Sequence, residues 1–214
     1  MTIDPSSDPS RAPQAPTTTT GRKAPIAKQK RTASSRVPPR EQRHGLLIVN
    51  TGDGKGKTTA ALGIVARAWG RDMQCVIFQF IKSAENQYGE HLACEQMSIR
   101  IEPLGDGFTW LSENLDADKA LAAEGWTRCA EALQSGEYDV IVLDELTYPL
   151  NYGWLDTAMV LDAIAARPKG THVVVTGRSA SDALIAAADC VTEMRDVKHP
   201  YRDQGLGAQP GIDL

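Results

Sequence analysis

The chain has 214 residues, of which 42% are hydrophobic and 23% charged, enough to bury one sizeable core. No stretch approaches about 18 consecutive apolar residues, so the sequence does not predict a membrane-spanning helix. The N-terminus MTIDPSSDPS lacks the charged start and the apolar centre of a secretory signal. We therefore expect a cytoplasmic protein with one folded domain and no membrane partner.

Charge is divided unevenly along the chain. Residues 1–44 carry nine Lys and Arg against three Asp and Glu, whereas residues 45–214 carry 14 against 24. Because residues 1–44 are rich in Pro, Ser and Thr and poor in large apolar side chains, we expect them to be largely disordered. Three roles remain open for this basic segment: a nucleic-acid-binding arm, an organelle transit segment, or a lid formed by residues 23–44 over a bound anion.

From Gly45 onward, short apolar runs alternate with longer helical patterns, which predicts an α/β domain with a mostly parallel sheet flanked by helices. The predicted strands span residues 45–50, 74–80, 98–104, 138–145 and 171–177, with 190–197 as a weaker sixth. The predicted helices span residues 57–70, 116–137, 156–168 and 179–190. In such a sheet the ligand crevice lies beyond the carboxyl ends of the strands, so we expect functional residues directly after each strand.

The stretch NTGDGKGKTT, residues 50–59, follows the first strand and opens the first helix. A strand, a glycine-rich turn and a helix N-terminus wrap backbone N–H groups around a phosphate. Lys57 would neutralise phosphate charge, and the Thr58 hydroxyl would ligate Mg²⁺. The predicted ATP contacts here are Gly52, Asp53, Gly54, Lys55, Gly56, Lys57, Thr58 and Thr59.

The loop departs from the common pattern G-x-x-x-x-G-K-[ST], because Thr51 stands where that pattern has its first glycine. A cradle of different shape could hold a triphosphate in another register or direction. The departure therefore argues against assuming hydrolysis of a γ-phosphate.

A second half of such a site is predicted by YDVIVLDELTY, in which Asp144 and Glu145 end an apolar strand. Two acids at the end of a buried strand are costly to leave unpaired. The alternative is an exposed strand end with solvated carboxylates. Because the chain also contains the glycine-rich loop, we favour contact of Asp144 and Glu145 with a divalent metal or its water.

Seven segments together resemble the P-loop ATP:cob(I)alamin (corrinoid) adenosyltransferases, which have a RecA-like P-loop architecture. The resemblance spans Gly45 to Leu214, and the segments occur in the family's order. They are NTGDGKGKTTAALG, QFIK, GDGFTW, VLDELTY, VVVTGR, VKHP and GAQPGIDL.

The resemblance implies transfer of the 5′-deoxyadenosyl group of ATP to the cobalt of a reduced corrinoid, with triphosphate as the leaving group. A helix N-terminus, Lys57, Lys55 and a Mg²⁺ or Mn²⁺ ion at Thr58 and Glu145 would grip that anion. No general base is needed, because Co(I) carries its own nucleophilic lone pair. The family also implies a homodimer and a flavodoxin-like flavoprotein reductant.

Phe108 and Trp110, in the segment GDGFTW, match the family's lower-face aromatics. By resemblance they would displace the axial ligand of cobalt, making Co(II) easier to reduce, so we count them with Lys57 as catalytic residues. From spacing alone, a Phe and a Trp two positions apart are more typical of the edge of a core.

Other features leave alternatives open. Arg178 follows a predicted strand and could contact phosphate, a corrinoid amide or a structural acidic partner. The four histidines stand apart and are expected to be structural. The four cysteines form no C-x-x-C pair, so we expect small buried hydrophobic residues and neither a disulfide nor a zinc site at Cys75, Cys94, Cys129 and Cys190. Trp126, in the second predicted helix, is expected to pack in the core. A P-loop ATPase or nucleotide kinase acting at the γ-phosphate is the alternative function. The excess of acidic residues in 45–214 counts against a nucleic-acid partner.

Overall fold

The computed structural model describes residues 38–105, 107 and 115–213. Six strands form one sheet: β1 (Leu47–Thr51), β2 (Cys75–Ser83), β3 (Arg100–Gly105), β4 (Val140–Asp144), β5 (His172–Thr176) and β6 (Cys190–Glu193). Seven helices accompany them: α1 (Lys57–Trp69), α2 (Gly89–Met97), α3 (Leu115–Ser135), α4 (Thr147–Asn151), α5 (Thr157–Ala165), α6 (Asp182–Ala187) and α7 (Pro200–Gln204).

All neighbouring strands pair in parallel, in the order β3-β2-β4-β5-β1-β6. The predicted α/β class and mostly parallel sheet are therefore confirmed. Because every strand points the same way, the segments that follow β1, β4 and β5 emerge at one edge of the sheet. These three strands are neighbours, so their carboxyl ends lie side by side.

Alternate residues of the strands supply two apolar clusters, one on each face of the sheet. On one face, strand residues such as Phe78 and Leu143 pack with buried side chains of α3, α5 and α6, including Trp126. On the other face, Ile77 and Val142 pack with α1 and α2. Trp126 is 6% exposed, which confirms the prediction that it packs in the core.

The predicted elements differ from the structure mainly at short helices. Helices α2, α4 and α7 were not predicted, since none has the run of apolar residues at helical spacing that marked the similarly short α5 and α6. Helix α6 begins at Asp182 because the Ser181 side chain caps it, accepting a hydrogen bond from the Leu184 N–H at 3.3 Å. Strand β6 has four residues, half the length of the predicted run.

Residues 38–44 belong to the folded unit, although the sequence assigned them to the N-terminal segment. Arg40 and Arg43 both donate to the Asp139 carboxylate, at 3.0 and 2.7 Å. Asp139 directly precedes β4, so this contact lies at the amino edge of the sheet, opposite the edge reached by the carboxyl ends. Residues 38–44 therefore do not cover that edge, and a lid remains a prediction for residues 23–37, outside the described residues.

The cysteines differ in exposure. Cys75, Cys94 and Cys129 are buried, as predicted, whereas Cys190 is exposed. The prediction that Cys190 is a buried hydrophobe was wrong, because β6 is an edge strand whose four residues are all exposed. Within the described part of the chain, no helix is long and apolar enough to cross a membrane.

Candidate nucleotide-binding site

The carboxyl edge of the sheet brings together three of the predicted regions. The glycine-rich loop, residues 52–56, joins β1 to α1. Asp144 is the last residue of β4, Glu145 follows it, and Arg178 follows β5. The structure thus places the loop, the paired acids and the arginine at adjacent strand ends, the usual location of a ligand crevice in a parallel sheet.

The glycines of the loop are required by its backbone and by a neighbouring segment. Gly52 and Gly56 have φ of 92° and 111°, values that favour glycine. A Cβ at Gly52 would lie 2.5 Å from the Met194 carbonyl oxygen, and one at Gly54 would lie 2.6 Å from that of Arg195. The residues after β6 therefore pack directly against the loop, a constraint that the sequence pattern did not predict.

Lys57 begins α1 and turns back onto the loop. Its ammonium donates hydrogen bonds to the carbonyl oxygens of Gly52 and Gly54, both at 2.7 Å. Burial, reinforced by the nearby Arg178 guanidinium, holds the pKa of Lys57 below its usual value. The predicted phosphate-binding charge is thus held by the loop itself.

Thr58, which is half-buried, forms a hydrogen-bonded group beside Lys57 with two buried residues, Asp144 and Thr176. Asp144 is 1% exposed, and its Oδ1 accepts from the hydroxyls of Thr58 at 2.9 Å and Thr176 at 2.6 Å. The Glu145 N–H donates to the Thr176 hydroxyl oxygen at 2.9 Å. The sequence predicted Thr58 and Asp144 as neighbours, but Thr176, an ordinary residue at the end of an apolar strand, was missed.

Glu145 differs from Asp144 in its environment. Burial, followed by the charge of neighbouring Asp144, raises the pKa of Glu145 to about 7. Its backbone has a φ of 62°, a left-handed conformation that is uncommon for a residue with a side chain. Strained backbone of this kind occurs often at functional sites.

The oxygen donors suit a hard divalent cation that also binds the substrate. Thr58, Asp144 and Glu145 offer a hydroxyl and two carboxylates. No group of three or more His, Cys, Asp or Glu among the described residues could by itself hold a metal ion. Mg²⁺ usually takes one or two carboxylates together with substrate phosphates and water, so this incomplete donor set fits it.

Two other predicted cations have acidic partners within the chain. Arg178 donates to Asp53, a loop residue, across 3.4 Å, and both side chains are largely exposed. Lys55 pairs with Asp213 near the end of the chain. Thr59 lies exposed on the first turn of α1. For Arg178, the structure therefore contains the acidic partner that the sequence left as one alternative.

A second polar group, also missed by the sequence, lies on the far side of Asp144. Gln79 is fully buried in β2 and donates to Asp144 Oδ2 at 3.1 Å, while its carbonyl oxygen lies 2.7 Å from His91 Nε2. Lys82 pairs with Glu90 and lies 4.2 Å from the ring centroid of Tyr88. The available signal was a glutamine inside an otherwise apolar strand.

The remaining predictions fall on other parts of the chain. Phe108 and Trp110 lie outside the described residues. His199, to which the sequence gave no role, caps α7: its Nδ1 accepts a hydrogen bond from the Tyr201 N–H at 3.2 Å.

A phosphate loop at the end of a parallel strand, with a lysine and a threonine opening the next helix and paired acids two strands away, defines a P-loop nucleotide-binding protein. Residues 43–214 match the family described as ATP:corrinoid adenosyltransferase BtuR/CobO/CobP. The chain belongs to this family.

Individual relatives agree with that assignment. A corrinoid adenosyltransferase of Pseudomonas aeruginosa is 38% identical over 88% of this chain and 93% of its own length. The corrinoid adenosyltransferase CobA of Salmonella typhimurium is 39% identical over 87% of this chain and 94% of its own. Among solved structures, the flagellar accessory protein FlaH from Methanocaldococcus jannaschii covers 71% of each chain, with 11% identity and a TM-score of 0.46. That likeness is too slight to assign a shared fold or activity.

Proposed function

We infer that this chain is an enzyme that transfers the 5′-deoxyadenosyl group of ATP to the Co(I) of a corrinoid. The cobalt lone pair forms a bond to C5′, the C5′–O5′ bond breaks, and its electron pair leaves with inorganic triphosphate. The observation that supports this most directly is the coincidence of the family match with the site. The matched span, 43–214, contains the glycine-rich loop, both strand-end acids and Arg178.

The residues of the loop would bind ATP through its triphosphate. In this proposal Lys57 exchanges its bonds to the Gly52 and Gly54 carbonyls for phosphate oxygens, and the N-terminus of α1 adds backbone N–H donors. Lys55 and Arg178 contribute further positive charge once phosphate replaces Asp213 and Asp53. Stabilising a polyanion that departs as a whole is electrostatic catalysis, for which fixed donors and cations suffice.

A divalent cation, Mg²⁺ or Mn²⁺, completes the proposed site and would supply charge neutralisation of the departing triphosphate. Thr58 and Glu145 are the proposed ligands. Asp144 already accepts hydrogen bonds from Thr58, Thr176 and Gln79, so its proposed role is to orient the Thr58 hydroxyl. A carboxylate that fixes a ligand in this way often matters nearly as much as the ligand.

The corrinoid half of the proposal rests on the family resemblance. Phe108 and Trp110 would occupy the lower face of the ring and displace the axial ligand of cobalt, which favours reduction of Co(II). A flavodoxin-like flavoprotein is the proposed electron donor, and a cytoplasmic homodimer the proposed working form. Residues 45–214 would form the catalytic domain, to which residues 38–44 attach through Asp139, with residues 23–37 as a lid.

Product analysis tests this function directly. Anaerobic incubation with ATP, Mg²⁺ and chemically reduced cobalamin should yield one inorganic triphosphate per adenosylated corrinoid. The absorbance change of Co–C bond formation measures the amount of adenosylated corrinoid. A P-loop ATPase or kinase would instead yield ADP and leave the corrinoid unmodified. Recovery of ADP with no change in the corrinoid spectrum would refute the proposed function.

A further inference from the structure

The buried polar group around Gln79 needs an explanation beyond folding. Gln79 is 0% exposed, in a strand whose other residues are nearly all buried. Burying an amide is costly unless all its hydrogen-bonding groups are satisfied, and an apolar side chain of similar shape would serve the core as well. In the paired register of β2 and β4, Gln79 lies opposite Asp144, at the same level of the sheet.

The hydrogen bonds of this group run in one direction. The Tyr88 N–H lies 3.4 Å from His91 Nδ1, which therefore acts as acceptor. We assign the proton of the neutral ring to Nε2 from these two contacts, so that Nε2 donates to the Gln79 carbonyl oxygen at 2.7 Å. This fixes the Gln79 amide, so that its NH₂ group faces Asp144 Oδ2 at 3.1 Å. Burial, supported by the Lys82 ammonium, keeps the pKa of His91 below its usual value although the Glu90 carboxylate and a hydrogen bond with the Asn86 backbone act to raise it, in agreement with a neutral ring.

The chain of bonds ends on the carboxylate that holds Thr58. Asp144 Oδ2 is fixed by Gln79, and Oδ1 accepts from the Thr58 and Thr176 hydroxyls. Because the Thr58 hydroxyl donates its proton in the hydrogen bond to Asp144, the lone pairs of its oxygen remain oriented to ligate a cation. Without the Gln79 contact, Asp144 would keep donors on one oxygen only and could rotate, taking the Thr58 hydroxyl with it.

We propose that Gln79, oriented by His91, is a positioning residue for the metal and phosphate end of the site and acts on Thr58 through Asp144. The inference rests on the proposed ATP and metal site. It also connects that site to the start of α2, because His91 lies in the first turn of the helix. The Gln79 amide further reaches Glu90 of the same turn: burial alone would raise the pKa of Glu90, but Lys82 and Gln79 hold it below its usual value.

Titration calorimetry with ATP, with and without Mg²⁺, tests the proposal on Gln79→Met, which keeps the volume but removes the amide. We expect Gln79→Met to weaken ATP binding in the presence of Mg²⁺ by about 10-fold or more, in the range found when groups behind a metal ligand are removed. Binding of ATP without metal should change by less than about 2-fold, because the Lys57 contacts remain. A purely structural role would change both affinities alike.

His91 provides the matched pair of variants, and its partial exposure makes these safer for folding. His91→Phe keeps a ring and loses the donor, so it should reproduce the selective loss. His91→Gln places an amide N–H near the former Nε2 and should restore Mg²⁺-dependent ATP binding to the wild-type level. In the Gln79→Met background, His91→Phe should have no further effect on Mg²⁺-dependent binding, since His91 acts through Gln79.

The outcomes separate this inference from the function on which it rests. Equal losses with and without Mg²⁺, or additive effects of the two substitutions, would overturn the positioning role while leaving the ATP site intact. If the wild-type chain binds ATP equally well with and without Mg²⁺, the proposed metal site fails, and the inference with it. Thermal unfolding of each variant confirms that the comparison is made on folded protein.

Discussion

At the scale of single residues, the cations around the glycine-rich loop already have partners inside the chain. Lys57 donates to two loop carbonyls, Arg178 faces Asp53, and Lys55 pairs with Asp213. An incoming triphosphate must replace these contacts, and for Lys57 it offers ionised oxygens in place of neutral carbonyls, so that both partners of the hydrogen bond are charged. The exposed pairs of Arg178 and Lys55 are weak enough to be exchanged at little cost.

Replacing Lys57 with alanine should nearly abolish transfer. The substitution removes the cation nearest the predicted phosphate position, and loss of one fixed electrostatic donor commonly lowers kcat by about 10² to 10³-fold. Steady-state rates with chemically reduced cobalamin measure the effect. Lys169→Ala is the matched control, because Lys169 is exposed at the amino edge of the sheet, and it should retain the wild-type rate. Comparable losses in both variants would argue against a specific role for Lys57.

Trp110→Ala should separate reduction from transfer. If Trp110 displaces the axial ligand of cobalt, the variant should bind ATP normally and act on chemically supplied Co(I). It should turn over poorly when a flavoprotein must reduce Co(II). Rates under the two reducing regimes provide the measurement, and an equal loss in both would contradict the lower-face role.

At the scale of elements, the glycine-rich loop is held in shape by the segment after β6. The Gly54 N–H donates to the Met194 carbonyl at 2.7 Å, and the Met194 N–H donates to the Thr51 carbonyl at 2.8 Å. The loop therefore lies against a backbone segment that is about 140 residues away in sequence. Its conformation depends on this contact as well as on its own glycines.

Gly54→Ala should impair ATP binding through this contact. A Cβ at position 54 would lie 2.6 Å from the Arg195 carbonyl oxygen, so either the loop or the segment after β6 must move. We expect ATP affinity to fall by about 10-fold or more, as when a preorganised binding geometry is lost. Titration calorimetry with Mg²⁺ and ATP gives the measurement.

Gly63→Ala is the control for the glycine substitution. Gly63 is exposed in the middle of α1, with nothing within 4 Å of an added Cβ. Alanine there should raise the free energy of unfolding by about 0.5–1 kcal/mol through helix propensity and leave ATP affinity unchanged. Full ATP affinity in Gly54→Ala would show that the loop tolerates displacement.

At the scale of the whole molecule, the carboxyl and amino edges of the sheet have different roles. The carboxyl edge carries the site, whereas at the amino edge Arg40 and Arg43 fasten the entering chain to Asp139. The Asp139 side chain is 9% exposed and also accepts from the Gln74 N–H at 2.8 Å. This cluster therefore contributes to the stability of the fold at a distance from the reaction.

Asp139 should give the fold a pH-dependent stability. Burial alone would raise the pKa of Asp139, but bonds from the Gln74 N–H, Arg43 and Arg40 hold it below its usual value. A depressed folded pKa stabilises the fold above the unfolded pKa, about 3.9, and this stability is lost as the pH falls through the folded value. Asp139→Asn should cost about 2–3 kcal/mol near neutral pH, since it leaves two part-buried guanidinium groups without their charge partner.

Urea unfolding of wild type and Asp139→Asn between neutral pH and pH 3 tests this expectation. The difference in free energy of unfolding should be constant above about pH 5 and shrink below about pH 4. A gap of constant size down to pH 3 would show that the Asp139 charge has no part in it.

Local patterns predicted the parts of this molecule that depend on neighbours in sequence. Apolar runs such as VIVL predicted the strands, and GKGKTT predicted the loop and the start of α1. Both patterns consist of contiguous residues, so they can be recognised without knowledge of the fold. The short helix α2 and the exposure of Cys190 were missed, since they depend on what packs beside them. Phe108 and Trp110 remain predictions.

The sequence alone determined the sheet class, the identity of the phosphate loop and the resemblance to a family, because each of these is encoded in the order and spacing of residues. The tertiary structure decided which side chains meet: Gln79 with Asp144, Met194 with the glycines, Arg40 with Asp139. Such pairs are set by strand order and register across the sheet, and neither quantity can be read from the chain one segment at a time.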